Sequence, residues 1–416
     1  MQRKRKKRGV TIWILSILNA FFMLGFAYYW LSLPYTFGDE AFLIKWSSLT
    51  KKSLFGFDPK PSPEEVLFVN VSNNKTIING LNESGEPSSY HRKVITDRQH
   101  LAEFFELLNH YEPEVRFVLC DVLFEDSTQY DRRLGAAFAK LGDKLLGVSH
   151  LNTDGHHILP IITMAYAPAT YYTATEGLFL KFPLLLGDSL RTAPLVMHQK
   201  INQVRFQKGK IGHRLNGRLS LPSPITDFKV RNSDFRIGTD LGDANFAVYE
   251  MGTIIESQEF MSEEDLGSFF KGKLILIGDF KEDLHLTPFG KMPGLLVLYN
   301  AYLTLVSGQN AVRASWIIYL LMAFTFISYR VFSDVRVSRP AWLLGLFKSK
   351  LGQTVLNSLD EFVLLTLTTL FSYFLFNIHI NILILLIYIK MIEFIWKKAG
   401  LHKRQSAAAL EEVVTT

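Results

Sequence analysis

The sequence predicts an α/β domain, a largely parallel or mixed sheet flanked by helices, held outside a membrane by four transmembrane helices. Three observations predict it. Four short, almost wholly apolar runs recur along the middle of the chain, each ending on a polar residue. Amphipathic helical stretches alternate with them. Long apolar segments stand towards both ends, each beside basic residues. Near-continuous apolar strands suit a sheet covered on both faces, and strands alternating with helices suit an α/β architecture.

The membrane segments come first in the chain. Residues 1–9 are a basic N-terminus, with RKRKKR from Arg3 to Arg8, and residues 10–33 are apolar. About 24 such residues cross a ~30 Å hydrocarbon core as a helix, and no A-x-A site follows, so the run reads as an anchor rather than a cleaved signal. Ser315 to Phe332, Phe362 to Asn377 and Ile380 to Trp396 are three further runs within residues 314–396, the last two joined by Ile378 and His379 alone. Arg330, Arg336, Arg339, Lys348 and Lys350 lie at or after the end of the first of these runs. Lys397, Lys398, Lys403 and Arg404 follow the third. With the N-terminus inside, four crossings put every basic cluster inside, leave both termini cytoplasmic, and place residues 34–313 outside. Residues 397–416 then make a short cytoplasmic tail, too short for a folded catalytic domain. Ser358 and Glu361 read as a capping box opening the third span. Lys390 and Glu393, one turn apart, read either as an interfacial pair or as a relay within the membrane.

The 416 residues carry a net charge of +6 and are 48% hydrophobic. Because the basic excess sits beside the apolar runs, it points to membrane and away from nucleic acid. Cys120 is the single cysteine, which excludes an intramolecular disulfide framework and a Cys-rich zinc site. The outer segment must stand on its core alone, which roughly 280 residues can supply.

Within that segment VLFVNVS (Val66 to Ser72), RFVLCDVLF (Arg116 to Phe124), KLLGVSH (Lys144 to His150) and KLILIGD (Lys273 to Asp279) read as strands. Three helices lie between them. One is capped by Asp97, with Leu101, Phe104, Phe105 and Leu108 on one face; one begins near Asp131 and stops at Gly142; one is capped by Ser262 and stops at Gly272. Leu184 to Ile201 reads as a helix interrupted by Pro194, and Gly209 to Pro224 as loops and turns. Met292-Pro293-Gly294 opens an apolar helix shortly before the second apolar run.

Ligands of open α/β sheets bind outside the carboxyl ends of the strands. The residues there are Asn70, Ser72, Asp121, Ser149, His150 and Asp279, and the loop from Asp279 to Thr287 overhangs the same edge with Asp283 and His285. Asp279, Asp283 and His285 offer oxygen ligands and an imidazole to a divalent metal; alternatively Asp279 and Thr287 cap the loop backbone. Asp121, in an otherwise apolar strand, needs a partner, either a ligand or a helix-start N–H. Cys120 in mid-strand reads as a small buried hydrophobe. The sequence holds no G-x-S-x-G, P-loop or HExxH motif, so no enzyme and no cofactor is expected.

GKLILIGDFKEDLHLTPFGKMPG (Gly272 to Gly294), followed by NAY (Asn300 to Tyr302), resembles the C-terminal signature of the CHASE family, type 2. These are extracytoplasmic sensory domains associated with cyclases and histidine kinases. LCDVLFEDSTQYDRRLGAAF resembles the family's strand end and the Asp-led helix after it, and the resemblance covers about residues 40 to 395. Two departures stand out. Asn70 and Ser72 occupy positions where relatives tend to carry acids, and PSSYHRKVITDRQ replaces an aromatic-Pro-Arg segment. Relatives usually continue into a cytoplasmic effector, whereas only Lys397 to Thr416 follow the last span here, so a stand-alone input module is expected. It would sit in the bacterial inner membrane, detect an unidentified small-molecule signal, and relay it through its transmembrane helices to a separate cytoplasmic partner. Related receptors signal as dimers, so a homodimer is implied as well. The alternatives are a structural envelope protein without a ligand, or a metal-dependent periplasmic enzyme.

Overall fold

The structure, a computed structural model, describes residues 2–35, 42–48, 50, 60–81, 87–152, 157–171, 177–210, 212–235, 246–333 and 350–415. Its first half runs α1 (Gln2–Ser32), β1 (Val66–Asn70), β2 (Lys75–Leu81), β3 (Pro87–Thr96), α2 (Arg98–His110), β4 (Phe117–Asp121), α3 (Asp131–Leu141), β5 (Leu145–Leu151), β6 (His157–Ile158) and β7 (Tyr166–Pro168). Small elements follow: β8 (Leu185–Leu186), β9 (Leu190–Arg191), α4 (Ala193–Asn202), β10 (Phe206–Gln207), β11 (His213–Leu215), β12 (Arg218–Ser220), β13 (Val248–Glu250) and α5 (Met251–Ser257). The chain ends with α6 (Glu263–Phe270), β14 (Leu274–Gly278), β15 (Leu284–Thr287), β16 (Gly290–Pro293), α7 (Gly294–Val306), α8 (Ala314–Ser333), α9 (Lys350–Phe376) and α10 (Ile382–Thr415). Two compact units result: Met1–Leu33, Phe37–Lys51 and Ala311–Thr416 form one, Pro34–Thr36 and Lys52–Asn310 the other.

The second unit is built on a seven-stranded sheet ordered β13-β1-β14-β4-β5, with β6 and β7 both paired to β5. Every pairing is parallel except β5 with β6. All four predicted strands are present, and their apolar runs are buried on both faces. Leu67, Val69, Val118, Cys120, Ile275 and Ile277 turn towards α2, α3, α5 and α6, where Phe104, Phe105, Phe138 and Phe270 complete one core. Phe68 faces the other way and meets Tyr299 of α7 edge-on at 5.6 Å between ring centroids. Cys120 is fully buried there as a free thiol.

The caps are where the sequence puts them. Asp97 accepts from the N–H groups of Gln99 and His100, and Ser262 from that of Asp265. Elsewhere the predictions need correction. Leu184 to Ile201 is the β8–β9 hairpin followed by α4, and Pro194 lies in the first turn of α4, where its missing N–H costs nothing. Gly209 to Pro224 holds β11 and β12, which join β10 in a three-stranded sheet. The second half of the loop after β14 is the β15–β16 hairpin. The β2–β3 ribbon was not anticipated at all.

Asn300 explains part of the NAY motif. Fully buried, it donates to Val230 O at 2.7 Å and Leu296 O at 2.9 Å, and accepts from Val230 N–H at 3.0 Å. One turn on, Thr304 accepts from Asp227 N–H at 2.9 Å. These two side chains stand in for a strand partner along residues 227–230. Asn300→Ala is expected to cost about 2–4 kcal/mol by leaving both backbone groups of Val230 unpaired. Amide exchange of the slowest β1 and β14 protons reads that loss.

In the first unit α1 packs along α8, and α9 pairs with α10. Asn19 of α1 donates to Ser328 of α8 and accepts from Tyr388 of α10, each at 2.8 Å. Among the described residues three helices, Val10–Ser32, Ala314–Ser333 and Leu359–Phe376, are long and apolar enough to cross a membrane, rather than the predicted four. The fourth run fails because its helix starts only at Ile382 and carries Lys390 and Glu393 before the basic residues from Lys397 on. The expectation of both termini on one side, which rested on four crossings, loses that support. Lys390 bonds Glu393 at 2.9 Å and also Glu361 of α9 at 3.2 Å, so the pair belongs to an interhelical network. Ser358 does not cap α9, which already begins at Lys350, and residues 397–415 continue α10.

Candidate functional site

Register aligns Glu250, Asn70, Gly278 and Asp121 across the carboxyl edge of the sheet. The sequence-predicted residues there fall into two groups that differ in how fully their polar atoms are used. Gly278 is small because α7 comes close beneath it: a Cβ there would lie 3.0 Å from Leu295 Cβ.

The first group is a latch. Asn70 donates to Glu250 at 2.8 Å and accepts from the N–H groups of Ser72 at 3.0 Å and Phe280 at 3.1 Å. Asp279 accepts from Ser72 Oγ and Lys75 Nζ, both at 2.7 Å, and from the N–H groups of Lys281 at 2.9 Å and Glu282 at 2.8 Å. Burial works against its ionised form, but Lys75, the Glu282 N–H, Ser72 and the Lys281 N–H outweigh that and hold the carboxyl down at about 2. This carboxylate has its ligands inside the protein. It fastens the end of β14 to β1 and to the β2–β3 ribbon.

The second group lies over the start of α7. Asp283 Oδ1 meets His285 Nε2 at 2.9 Å, and the other ring nitrogen of His285 bonds the hydroxyl of Tyr171. Burial opposes a charge on His285, yet the bond to Asp283 and the carboxylates of Asp283 and Asp121 raise its pKa overall. Gly294, the first residue of α7, donates to Asp283 O at 2.8 Å, and a Cβ on it would fall 2.1 Å from Asp283 Oδ2 and 2.9 Å from His285 Nε2. Only glycine lets the pair sit there. Asp121 stands beside this group without any hydrogen bond from a described residue. Burial, reinforced by the charge of Asp283 and offset by that of His285, pushes its carboxyl up to about 7.

Two cavities open on these residues, of about 400 Å³ and 270 Å³, and Asp121, His150 and Asp283 line both. Burial lowers the pKa of His150, so its ring is neutral at neutral pH. Ser149 is buried and bonded to His157, and Thr287 is spent on its own turn, donating to Gly290 O at 2.7 Å. Neither lines these cavities.

Lys75, Glu125, Asp126, Tyr171 and Glu282 were missed from sequence, although all five line one cavity or the other. Tyr171 follows a three-residue strand that leaves no periodicity to detect. Arg98 was missed too. It is 1% exposed, donates to Leu123 O at 2.9 Å and stacks on Phe124 at 4.2 Å, which sets the start of the loop that walls the wider cavity. Among the described residues no three His, Cys, Asp or Glu side chains converge to hold a metal ion. His156, the neighbour of His157, lies outside the described residues.

A family model described as CHASE2 domain matches residues 19–329, beginning within α1 and ending within α8. No curated protein and no solved structure matches the chain.

Proposed function

The chain belongs to the CHASE2 family of extracellular sensory domains, and from that premise we propose that its sheet domain detects a small molecule in the cleft at Asp121, His150, Asp283 and His285 and relays the event through α7 and α8 to a cytoplasmic signalling partner. The basic run in the first turns of α1 favours an internal N-terminus, which puts residues 34–313 outside. One observation carries the proposal. The Asp283–His285 pair rests on Gly294 without room for a methyl group, so whatever disturbs that pair disturbs the first turn of α7. Residues 307–313 then lead directly into α8, the helix that is tied to α1 through Ser328 and Asn19. The CHASE2 family is a sensory, non-catalytic one, which fits a binding role for the cleft.

Gly294→Ala tests the relay without a ligand. The new methyl must displace the Asp283 carboxylate and break its bond to His285, while the helix itself gains a better helix former. In the full chain in lipid nanodiscs, amides of the first α7 turn are expected to exchange at least about tenfold faster, and the change should extend through 307–313 into the first turns of α8. A change confined to residues 279–298 would sink the relay.

A further inference from the structure

The two cavities have opposite characters. Among its described lining residues the wider one carries six carboxylates, Asp121, Glu125, Asp126, Asp279, Glu282 and Asp283, against one cationic chain, Lys75. Lys75 is already committed to Asp279 at 2.7 Å, Asp126 is matched by Lys93 at 2.8 Å, and one oxygen of Asp283 by His285 at 2.9 Å. Asp121 has no such partner, and it stands where the cavities meet. The narrower cavity shares Asp121, His150 and Asp283 with it and adds His285 and an apolar set, Ala169, Val297, Leu298 and the ring of Tyr171. A mostly apolar pocket with a few convergent polar groups is the usual form of a small-molecule site.

We propose that the cleft binds an organic ammonium ion on an apolar body, its cationic nitrogen against Asp121 and Asp283 and its body in the narrower cavity against Val297 and Leu298. The inference rests on the cleft being the sensory site and names the chemistry that site accepts. An anion would enter a field of carboxylates with no free cation among the described lining residues. A neutral ligand would leave the half-buried carboxyl of Asp121, which has no hydrogen bond from a described residue, without a charged partner. A bare metal ion would find no three converging ligands among the described residues and would leave the apolar half unused. An ammonium on an apolar body satisfies both halves. It also touches α7 directly, because Val297 and Leu298 lie in that helix.

Three probes that share one phenyl-ethyl body separate the possibilities: phenethylamine, 2-phenylethanol and 3-phenylpropanoate. Each is titrated calorimetrically into the full chain in lipid nanodiscs. The ammonium is expected to bind, the alcohol to bind at least about tenfold more weakly, and the carboxylate not to bind. Asp121→Asn should weaken the ammonium at least about tenfold, and circular dichroism of that variant should stay that of the folded chain. Equal binding of amine and alcohol overturns the inference, as does amine binding that Asp121→Asn leaves unchanged. If the carboxylate or the alcohol binds preferentially and Asp121→Asn abolishes it, the cleft is still the ligand site and only the ammonium class falls. If none of the three binds to about 10 mM, the ammonium class is overturned, and the sensory cleft is judged by the Gly294→Ala exchange experiment alone.

Discussion

Asp121→Asn is expected to stabilise the sheet domain at pH 8 by about 2 kcal/mol and to flatten its loss of stability between pH 4 and pH 7. The folded carboxyl keeps its proton up to about pH 7, against 3.8 for an ordinary aspartate. Between those values the folded state binds more protons than the unfolded chain, so unfolding free energy falls as pH rises, and it levels off above about pH 7. The full shift corresponds to at most about 4 kcal/mol, and roughly half is expected because the carboxyl opens on a solvated cleft. Asparagine cannot ionise, so the variant escapes the slope. The check is exchange of the slowest β4 and β14 amides at pH 4, 6 and 8, which open only on unfolding. Parallel decline of variant and wild type would mean that Asp121 is not held protonated. A residue whose removal stabilises the fold is what a strained, destabilised binding site commonly contains.

Asp279→Ala should move stability the other way, by about 3 kcal/mol. Four bonds go at once: the N–H groups of Lys281 and Glu282 lose their acceptor, the Ser72 hydroxyl is left with Asn70 and the Lys75 ammonium with Glu282 at 3.5 Å. Its pH signature is also opposite. With its pKa depressed from 3.8 to about 2, Asp279 contributes stability that is complete above about pH 4 and lost as pH falls through 2. The variant should therefore lose part of the acid-side slope that wild type shows below pH 4. Asp279→Asn, which keeps an oxygen for the two N–H groups, should recover more than half of the loss. Wild-type stability in Asp279→Ala would show that the latch contributes nothing to the fold.

The contrast between these two aspartates marks how far the sequence is legible. Both end an apolar strand, and strand-end position is a backbone property that a run such as LILIGD or FVLCD declares. The same is true of the caps at Asp97 and Ser262, whose partners lie two or three residues away. What separates Asp279 from Asp121 is long-range. The ammonium that neutralises Asp279 comes from Lys75 on a ribbon that has no apolar alternation strong enough to announce it. His285 could be placed on the overhanging loop, but its partner Tyr171 arrives from 114 residues away. Elements of two or three residues, such as β7 and β8, owe their strand geometry to a neighbour and not to their own composition. Pro194 misled for a related reason: its position within the turn, not its identity, decides whether it breaks or opens a helix. The last apolar run misled because counting apolar residues ignores where the helix begins.

Burial of Cys120 has a practical side. Enclosure in the core pushes its thiol up to about 12, chiefly by desolvation, so almost no thiolate exists at neutral pH and maleimides find no nucleophile. The natural sequence is therefore already a silent background for site-directed labelling. A cysteine placed at Ile77 or Phe260, which are 64% and 84% exposed, would carry a spin label or fluorophore alone, with no native residue to remove beforehand.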